Sequence, residues 1–387
     1  METKQKKSIL YMLIAFLLGI LVAGGGLLLI TKGVFGYVSI PKSTYIKLAD
    51  TYSRYQKLEG LYECIDENYY KDIKEEDLIN GACKGLVAGL DDPYSSYMTA
   101  TEYDSWKASA TGSYSGIGVT FTKDDKGYVI VGISKGSPAA ESDMKAGDYI
   151  LKIDGKEYSD MDVMATAIRG KKGTKVKVTY YHDGKQKDVT LVRDDIVQES
   201  VSDKMINKDT GYIQISSFIE NTGEDFDKAL KKIEKNGAKN LILDLRDNGG
   251  GLVDSSIDVA DEFLDKGTVT YTEDKNGKKK YYKSTDGKTD LKTVVLVNEN
   301  SASASEILAA AMKDNGYKIV GQNTFGKGVI QSTAELKDGS ALKLTIMQYF
   351  SPKGHKVHKK GVKPDYVVKN DSKSSDDKQL DKALSLF

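Results

Sequence analysis

The sequence is poor in the side chains that most often carry hydrolytic, redox or metal chemistry. Its 387 residues include only three histidines and two cysteines. Two cysteines cannot build a disulfide scaffold, so Cys64 and Cys83 either pair outside the cytoplasm or serve as small buried apolar residues. No histidine lies in a recognisable catalytic motif, and the pair His355 and His358 lacks a nearby third metal ligand. We therefore expect no metal site, and any hydrolytic nucleophile must be activated without histidine.

An excess of charge of one sign is also missing. The chain has 56 Lys plus Arg and 56 Asp plus Glu, so its formal net charge is zero. This balance gives no general attraction to nucleic acid. A phosphate-binding loop is excluded as well. Gly321 to Lys327 has the glycine spacing, but Gly328 stands where Ser or Thr would bind magnesium, and a predicted strand follows instead of a helix. We expect no nucleic-acid partner and no cofactor.

The long apolar run of the chain lies near the N-terminus. Residues 8–30 carry no charge, and Lys4, Lys6 and Lys7 precede them. About 20 apolar residues suffice to cross a bilayer, and the lysines would stay on the cytoplasmic side. We predict that residues 1–33 form a cytoplasmic stub and a transmembrane signal anchor, which places the rest of the chain outside the cytoplasm. A cleaved signal peptide is the alternative.

Residues 34–103 are predicted to be helical. Apolar and aromatic side chains recur every three or four residues between residues 44 and 70, which predicts a long helix with one apolar stripe. The stripe packs either on the core of its own chain or on a partner helix. A second predicted helix, residues 75–90, ends at the turn Asp91-Asp92-Pro93-Tyr94.

Residues 104–195 are predicted to be a compact unit of short strands, glycine turns and one short helix near residues 161–168. A glycine loop at a sheet edge can bind a terminal carboxylate through consecutive N–H groups while the peptide adds as a strand. The loop that fits this description contains Gly116, Ile117, Gly118 and Val119. Arg169 follows the short helix, where a capping role is the simplest interpretation.

Residues 196–370 alternate strand and helix patterns, as crossover topologies do. We predict strands at 211–215 and 241–245, helices at 223–235 and 253–264, and hairpins at Asn276-Gly277 and Asp338-Gly339. Residues 371–387 are polar and then form a short amphipathic tail helix. The fold class is therefore a multidomain combination of α+β and α/β architecture.

Ser303 is the candidate nucleophile. It follows a predicted buried strand, and Ser303 with Glu306 forms a capping-box pattern, which by itself only starts a helix. A hydroxyl at a helix N-terminus also lies where backbone N–H groups converge, and such donors stabilise an oxyanion. Ala304 would supply one of these donors. The spacing alone does not exclude Ser301 or Ser305.

A second oxyanion donor is predicted in the glycine loop, residues 244–251. The loop follows a buried strand and contains three consecutive glycines, which let the backbone approach a ligand closely. A tight turn is the simpler interpretation. Among the three glycines we favour Gly250 as the donor.

Lys327 is the candidate base. A free lysine has a pKa of about 10.4, so it accepts protons poorly at neutral pH unless it is buried without a carboxylate partner. Residues 319–330 are largely apolar and contain no acidic residue. A desolvated lysine fits this stretch, although a lysine in a surface loop is the common case.

Together these segments resemble the carboxy-terminal processing proteases, also called tail-specific proteases. The resemblance covers the chain after the apolar run, and its most specific parts are residues 301–306 and residues 324–328 with Gln331. It implies a crotonase/ClpP-like αβ protease core, an inserted PDZ β-domain and no cofactor. It also implies a serine endopeptidase that recognises the C-termini of protein substrates, and a homodimer formed by terminal helices.

The resemblance assigns roles residue by residue. Ser303 attacks the scissile carbonyl, Lys327 takes its proton, and Gln331 orients the lysine. Ala304 and Gly250 bind the oxyanion, and Arg169 corresponds to a position linked to gating by the PDZ unit. Two rival functions stay open: a non-catalytic, membrane-tethered PDZ module that binds C-terminal tails, and a crotonase-like enzyme acting on acyl thioesters.

Overall fold

The computed structural model of the protein describes residues 11–22, 40–371 and 376–387. The chain divides into two compact units, Met1–Ala82 and Cys83–Phe387. Each unit is described separately below.

The first unit contains the helix α1 (Lys42–Asn68) and most of the helix α2 (Glu75–Ala88). The long predicted helix is therefore confirmed to within two residues at each end. No residue of α1 is buried, so the predicted apolar stripe has no core of its own in the described part of this unit. Its exposed side chains include Tyr45, Leu48, Tyr52, Tyr55, Leu58, Leu61 and Ile65.

The predicted membrane anchor lies largely outside the described residues. Residues 11–22 are helical, whereas residues 8–10 and 23–30 of the apolar run are not described. Of the helices that the structure does describe, none combines the length and the apolar composition of a membrane span.

The second unit contains a small β subdomain. Its main sheet has the antiparallel order β3-β4-β5-β6-β7, and β2 pairs with β8 beside it. In the first half of β6 the side chains alternate between solvent and the subdomain core, where Val176 and Val178 lie, as the pleat of a strand requires. The elements are α3 (Ala100–Thr111), β2 (Ser113–Gly116), β3 (Val119–Asp124), β4 (Gly127–Ile133), β5 (Tyr149–Ile153), α4 (Met161–Ile168), β6 (Lys175–His182), β7 (Lys185–Val192) and β8 (Asp194–Val197).

A six-stranded sheet forms the centre of the second unit. Its order is β18-β15-β14-β11-β10-β9, and all neighbours are parallel except β9. The predicted alternation of strands and helices is confirmed. The elements are β9 (Val201–Met205), β10 (Thr210–Ile215), α5 (Thr222–Lys235), β11 (Asn240–Asp244), α6 (Val253–Asp261), β14 (Lys292–Val297), α7 (Ala304–Asp314), β15 (Lys318–Gly321), β18 (Tyr366–Val367) and α8 (Lys378–Leu384).

Both faces of this sheet are buried. Leu241 and Leu243 point into the core that α5, α6 and α7 cover, whereas Ile242 points into a smaller core that contains Ala383 of α8. Parallel strands covered on both faces are expected to be continuously apolar, which is how β11 and β14 appear in the sequence. The predicted tail helix therefore forms part of the hydrophobic core.

The second unit also contains a second, five-stranded sheet. It has the order β1-β17-β12-β13, and β16 pairs with β17. Both predicted hairpins are confirmed, because β12 pairs with β13 and β16 with β17. The strands are β1 (Ser96–Met98), β12 (Gly267–Asp274), β13 (Lys279–Ser284), β16 (Val329–Glu335) and β17 (Ala341–Phe350).

Candidate active site

Ser303 lies at the junction between β14 and α7. Its φ is 55° and its ψ is −114°, a strained combination for a residue with a side chain. Its N–H donates to the Glu306 carboxylate at 2.9 Å, as in a capping box. Ser301 and Ser305 are fully buried, and their hydroxyls donate to the carbonyls of Leu245 and Asn248. Of the three serines, Ser303 is therefore the one that is not fully buried.

Ala304 is the first residue of α7, and its N–H is one of the donors that a helix leaves unpaired at its start. Ala304 is buried, and no acceptor in the described ranges receives its N–H. An unpaired buried donor next to Ser303 is the arrangement that an oxyanion requires.

Glu306 connects the segments of Ser303 and Lys327. Its carboxylate is fully buried and accepts the N–H groups of Ser303, Gly326 and Lys327, at 2.9, 2.7 and 2.8 Å, and the hydroxyl of Thr324. Burial raises the pKa of Glu306, whereas these hydrogen bonds oppose the increase. The acid that the sequence near Lys327 lacks is thus supplied by α7.

Tyr349 makes a second connection between the two segments. Its hydroxyl lies 3.0 Å from the carbonyl oxygen of Ser303 and 2.8 Å from that of Lys327. The side chain is 1% exposed, and burial holds the pKa of Tyr349 well above its usual value, so the phenol stays a donor. Glu306 and Tyr349 therefore fix the backbones of both candidate catalytic residues from below.

Lys327 is half-buried, and none of the ion pairs within the described residues includes it. Its Nζ lies 5.1 Å from the ring centroid of Tyr94. Burial lowers the pKa of Lys327, Lys343 adds to the decrease, and Glu306 and Asp92 oppose it. The direction of this shift is the one that a general base needs at neutral pH.

Gln331 lies on β16, where a bulge separates Ile330 from Gln331. Its side-chain amide donates to the hydroxyl of Thr345 at 3.1 Å. No hydrogen bond joins Gln331 to Lys327 within the described residues. The predicted orienting role therefore has no direct contact in this structure.

The glycine loop contacts the Ser303 segment. A Cβ at Gly250 would lie 2.7 Å from the carbonyl oxygen of Ala302 and 2.8 Å from the Cβ of Ser303, and φ at this position is 101°. The Gly250 N–H itself donates to the side chain of Asn248 at 2.8 Å. Gly250 thus lies next to Ser303, but its N–H must leave Asn248 before it can bind an oxyanion.

The same loop holds an ionic network that sequence reasoning missed. Arg246 forms ion pairs with Asp244, the last residue of β11, and with Asp377 just before α8. Tyr212 donates to Asp244 at 2.6 Å. The adjacent acidic and basic residues of the loop were visible in the sequence, but their partner 131 positions away was not.

The β subdomain contains the predicted carboxylate-binding loop. Gly116, Ile117, Gly118 and Val119 are all buried, and Gly118 has a φ of 79° and packs against Ser137. Strand β3 continues from this loop as an edge of the sheet. Arg169 instead stacks on Tyr114, 5.1 Å from its ring centroid, and lines a cleft of about 450 Å³ with α3.

Residues 357–362, here called the strap, cover the loop that carries Lys327. The strap donates from Lys359 to the Gly326 carbonyl and from Val362 to the Thr324 hydroxyl. His358 packs against Gly328, and its Nδ1 is buried without a hydrogen-bond partner among the described residues. Burial lowers the pKa of His358, and Lys359 and Lys356 contribute. His355 contacts Asp314, away from this loop.

Three family models match this chain. Peptidase family S41 matches residues 209–368, the PDZ domain matches residues 115–192, and the N-terminal domain of the activating protease CtpB matches residues 38–102. The carboxy-terminal processing protease CtpA of Bacillus subtilis (strain 168) is 41% identical over 318 residues, which cover 81% of this chain and 68% of that protein.

The chain belongs to peptidase family S41. A CtpA-like serine protease of Staphylococcus saprophyticus is 36% identical over 342 residues, or 87% of this chain and 70% of that protein. Among solved structures, the photosystem II D1 C-terminal processing protease is similar, with a TM-score of 0.51 and 27% identity. The match covers 86% of this chain and 88% of the protease. This S41 peptidase is therefore serine-type, with a mixed α/β protease core and a PDZ domain.

Proposed function

We propose that this S41 peptidase is an endopeptidase that cleaves protein substrates with Ser303 and Lys327 as its catalytic pair. The observation that carries the proposal is the double connection between the two segments. Glu306 accepts N–H groups from both residues, and Tyr349 contacts the carbonyl oxygens of both. Because two buried side chains each contact the backbones of both residues, they support a role in which the relative position of Ser303 and Lys327 matters.

The chemistry proceeds through an acyl-enzyme. Lys327 Nζ takes the Ser303 hydroxyl proton as Oγ attacks the scissile carbonyl carbon. The oxyanion accepts the Ala304 N–H and, once Asn248 releases it, the Gly250 N–H. The carbonyl re-forms as the C–N bond breaks, and the leaving amine takes the proton from Lys327. Lys327 then takes a proton from water as the water oxygen attacks the ester carbonyl carbon. The C–O bond to Ser303 breaks, Ser303 Oγ takes the proton from Lys327, and the product leaves as a carboxylic acid. Gln331 acts through Thr345, by fixing the strand that follows Lys327.

The PDZ domain is proposed to bind the C-termini of substrates. The glycine loop at the start of edge strand β3 supports this, because an added peptide strand on β3 would direct its terminal carboxylate toward Gly116 to Val119. Arg169 is proposed to couple this domain to the protease core through its contact with Tyr114 and the cleft beside α3.

A cleavage assay with the full-length protein in detergent tests the catalytic pair. The substrate is an unfolded protein with an apolar C-terminus. Ser303→Ala and Lys327→Ala should each reduce kcat/KM by about a thousand-fold or more, whereas Ser305→Ala, a matched control, should retain cleavage. Substantial cleavage by either of the first two variants would overturn the proposal. Tail-peptide binding with no cleavage by any form would favour the non-catalytic PDZ module instead.

The apolar run is proposed to anchor the peptidase in the cell membrane with the catalytic part outside. Support comes from the 23 uncharged residues of 8–30 and the three lysines before them. Fractionation of cells that express the full chain, with protease added to the outside, tests this. An intact catalytic part that stays protected would contradict the orientation.

A homodimer is proposed to form through the first unit. The apolar stripe of α1 is exposed, and Leu58, Leu61 and Ile65 line a groove of about 400 Å³ with Leu78 and Ile79 of α2. Leu58→Glu combined with Leu61→Glu should convert the dimer into a monomer in analytical ultracentrifugation. A monomer at all concentrations before mutation would exclude the dimer.

A further inference from the structure

The turn that follows α2 lies directly beside Lys327. Asp92 accepts the N–H of Tyr94 at 3.1 Å and the hydroxyl of Ser95 at 2.6 Å. The Ser95 Oγ accepts the N–H of Thr345 on β17 at 2.9 Å, and the chain then enters β1, which pairs with β17. The C-terminal end of the turn is therefore fixed on the sheet next to the site, and the Asp92 carboxylate holds the turn by hydrogen bonds within it.

This hydrogen-bonded turn places the ring of Tyr94 beside the amine of Lys327. The Nζ lies 5.1 Å from the ring centroid. Tyr94 is half-buried, and burial raises the pKa of its phenol, with Glu306 and Asp92 contributing, so the ring stays uncharged. Lys327 thus has an aromatic face beside it and no carboxylate in ion-pair contact within the described residues.

We infer that Tyr94 is a positioning residue that shields the Lys327 amine from water, so that the amine can accept the Ser303 proton. The inference rests on the proposed catalytic pair and adds a residue to it. An aromatic ring suits this task because it excludes solvent without supplying the full negative charge that would hold the ammonium form. It also limits the rotamers of the lysine, since the chain must lie against the ring.

The sign of the effect follows from two opposing contributions. An aromatic face attracts an ammonium and favours the protonated form, whereas loss of water disfavours it. Burial is the largest cause of the lowered pKa of Lys327, so removal of the ring should raise that pKa on balance.

The charged groups that face Lys327 lie on three elements, and one of these is the turn that carries Tyr94. They are Glu306 on α7, Lys343 on β17 and Asp92 in the turn, and His358 on the strap faces Asp92. None of these side chains is altered by a change at Tyr94, so a shift caused by the ring is separable from their charges.

The test compares four full-length forms in detergent: unaltered protein, Tyr94→Phe, Tyr94→Ala and Tyr282→Ala. Tyr282 is the matched control, because its ring also contacts a lysine, Lys280, at 4.5 Å, but on β13. The first readout is the acidic limb of the kcat/KM profile against pH. Tyr94→Ala should move this limb to higher pH and reduce kcat/KM at pH 7 by about ten-fold or more, whereas Tyr94→Phe should restore most of the activity.

A second readout does not depend on catalysis. In a Ser303→Ala background, trace acetic anhydride labels free amines, and mass spectrometry gives the pH midpoint for Lys327. That midpoint should rise with Tyr94→Ala and stay unchanged with Tyr94→Phe and Tyr282→Ala. If Tyr94→Ala does not fold, as judged by thermal melting, Tyr94→Val is used and the same direction is expected.

The two proposals fail in different ways. Cleavage by Ser303→Ala or Lys327→Ala would overturn the catalytic pair whatever Tyr94 does. If Ser303→Ala and Lys327→Ala are both inactive but Tyr94→Ala leaves the pH midpoint of Lys327 labelling unchanged, the catalytic pair stands and only the role of Tyr94 is overturned. Loss of activity in Tyr94→Ala without any shift in pH dependence would show that the ring is only structural.

Discussion

The segments that carry Ser303 and Lys327 are held in place in different ways. The Ser303 segment continues from strand β14 of the central sheet and is hydrogen-bonded to the glycine loop, residues 244–251. Ala302 donates to the carbonyl of Asn248 at 3.0 Å, and Ser301 and Ser305 add side-chain hydrogen bonds to the same loop. These hydrogen bonds join the loops that follow two neighbouring parallel strands, β11 and β14.

The Lys327 segment depends on side chains from elsewhere. Glu306 on α7 and Tyr349 on β17 hold it from below, and the strap covers it. Glu306 and Tyr349 contact the Ser303 segment as well, but that segment also has the hydrogen bonds to the glycine loop, which the Lys327 segment lacks within the described residues. A single substitution should therefore displace the base more easily than the nucleophile.

The largest effect is expected from Glu306→Ala. It leaves Ser303, Gly326, Lys327 and Thr324 without an acceptor in a buried place, which should lower the free energy of unfolding by about 3 kcal/mol or more and abolish cleavage. Thermal denaturation and the cleavage assay measure the two effects. Glu299→Ala, an exposed change in the same loop as Ser303, is the control and should be neutral. Normal cleavage by Glu306→Ala would refute the dependence of the base on this carboxylate.

Gly250→Ala should have the next largest effect, and it acts on the nucleophile. The new methyl group would lie within 3 Å of Ala302, Ser303 and Ala304 at a positive φ. Displacement of reacting groups by about 1 Å can cost about a hundred-fold in rate, and we expect a loss of kcat of that order. Gly249→Ala is matched, because nothing lies within 4 Å of its Cβ position. Equal activity of the two variants would mean that the contact with Ser303 is unimportant.

Sequence patterns predicted most of the elements but fewer of the contacts at the site. Helix α4 and the two hairpins follow from local periodicity and turn residues, which act over a few positions. The ties at the site do not. Tyr349 lies 46 residues from Ser303, and a tyrosine in a strand gives no signal of a carbonyl partner. The Glu306 capping pattern was visible, but its bonds to Gly326 and Lys327 require the folded sheet.

Tyr349→Phe tests whether the Tyr349 hydroxyl positions the catalytic residues or only stabilises the fold. It removes one hydroxyl and leaves the carbonyl oxygens of Ser303 and Lys327 without this donor, which should cost about 1–2 kcal/mol of stability and about ten-fold in kcat. Tyr317→Phe is the control, since its hydroxyl also donates to a backbone carbonyl, that of Phe263, in another part of the core. A similar loss of stability with unchanged kcat is expected there. If both variants keep full kcat, the bridge by Tyr349 has no part in catalysis.

The smallest effect is expected from Asp377→Asn. This change weakens the ion pair with Arg246, which lies in the glycine loop that contacts the Ser303 segment. Burial opposes ionisation, but hydrogen bonds from Arg246 and Asn370 lower the pKa of Asp377 to about 2. Its contribution is therefore present above pH 4 and is lost as the pH falls toward 2. Because a third of the Asp377 side chain is exposed, we expect the variant to lose less than about 1 kcal/mol of its free energy of unfolding at pH 7.

The difference between Asp377→Asn and the unaltered protein should shrink as the pH falls through that range, which chemical denaturation at several pH values measures. The kcat at pH 7 should not change, because the many ties between Asn248 and the Ser303 segment remain. A large loss of kcat would mean that the nucleophile is as dependent on single distant contacts as the base, and the contrast between the two segments would not hold.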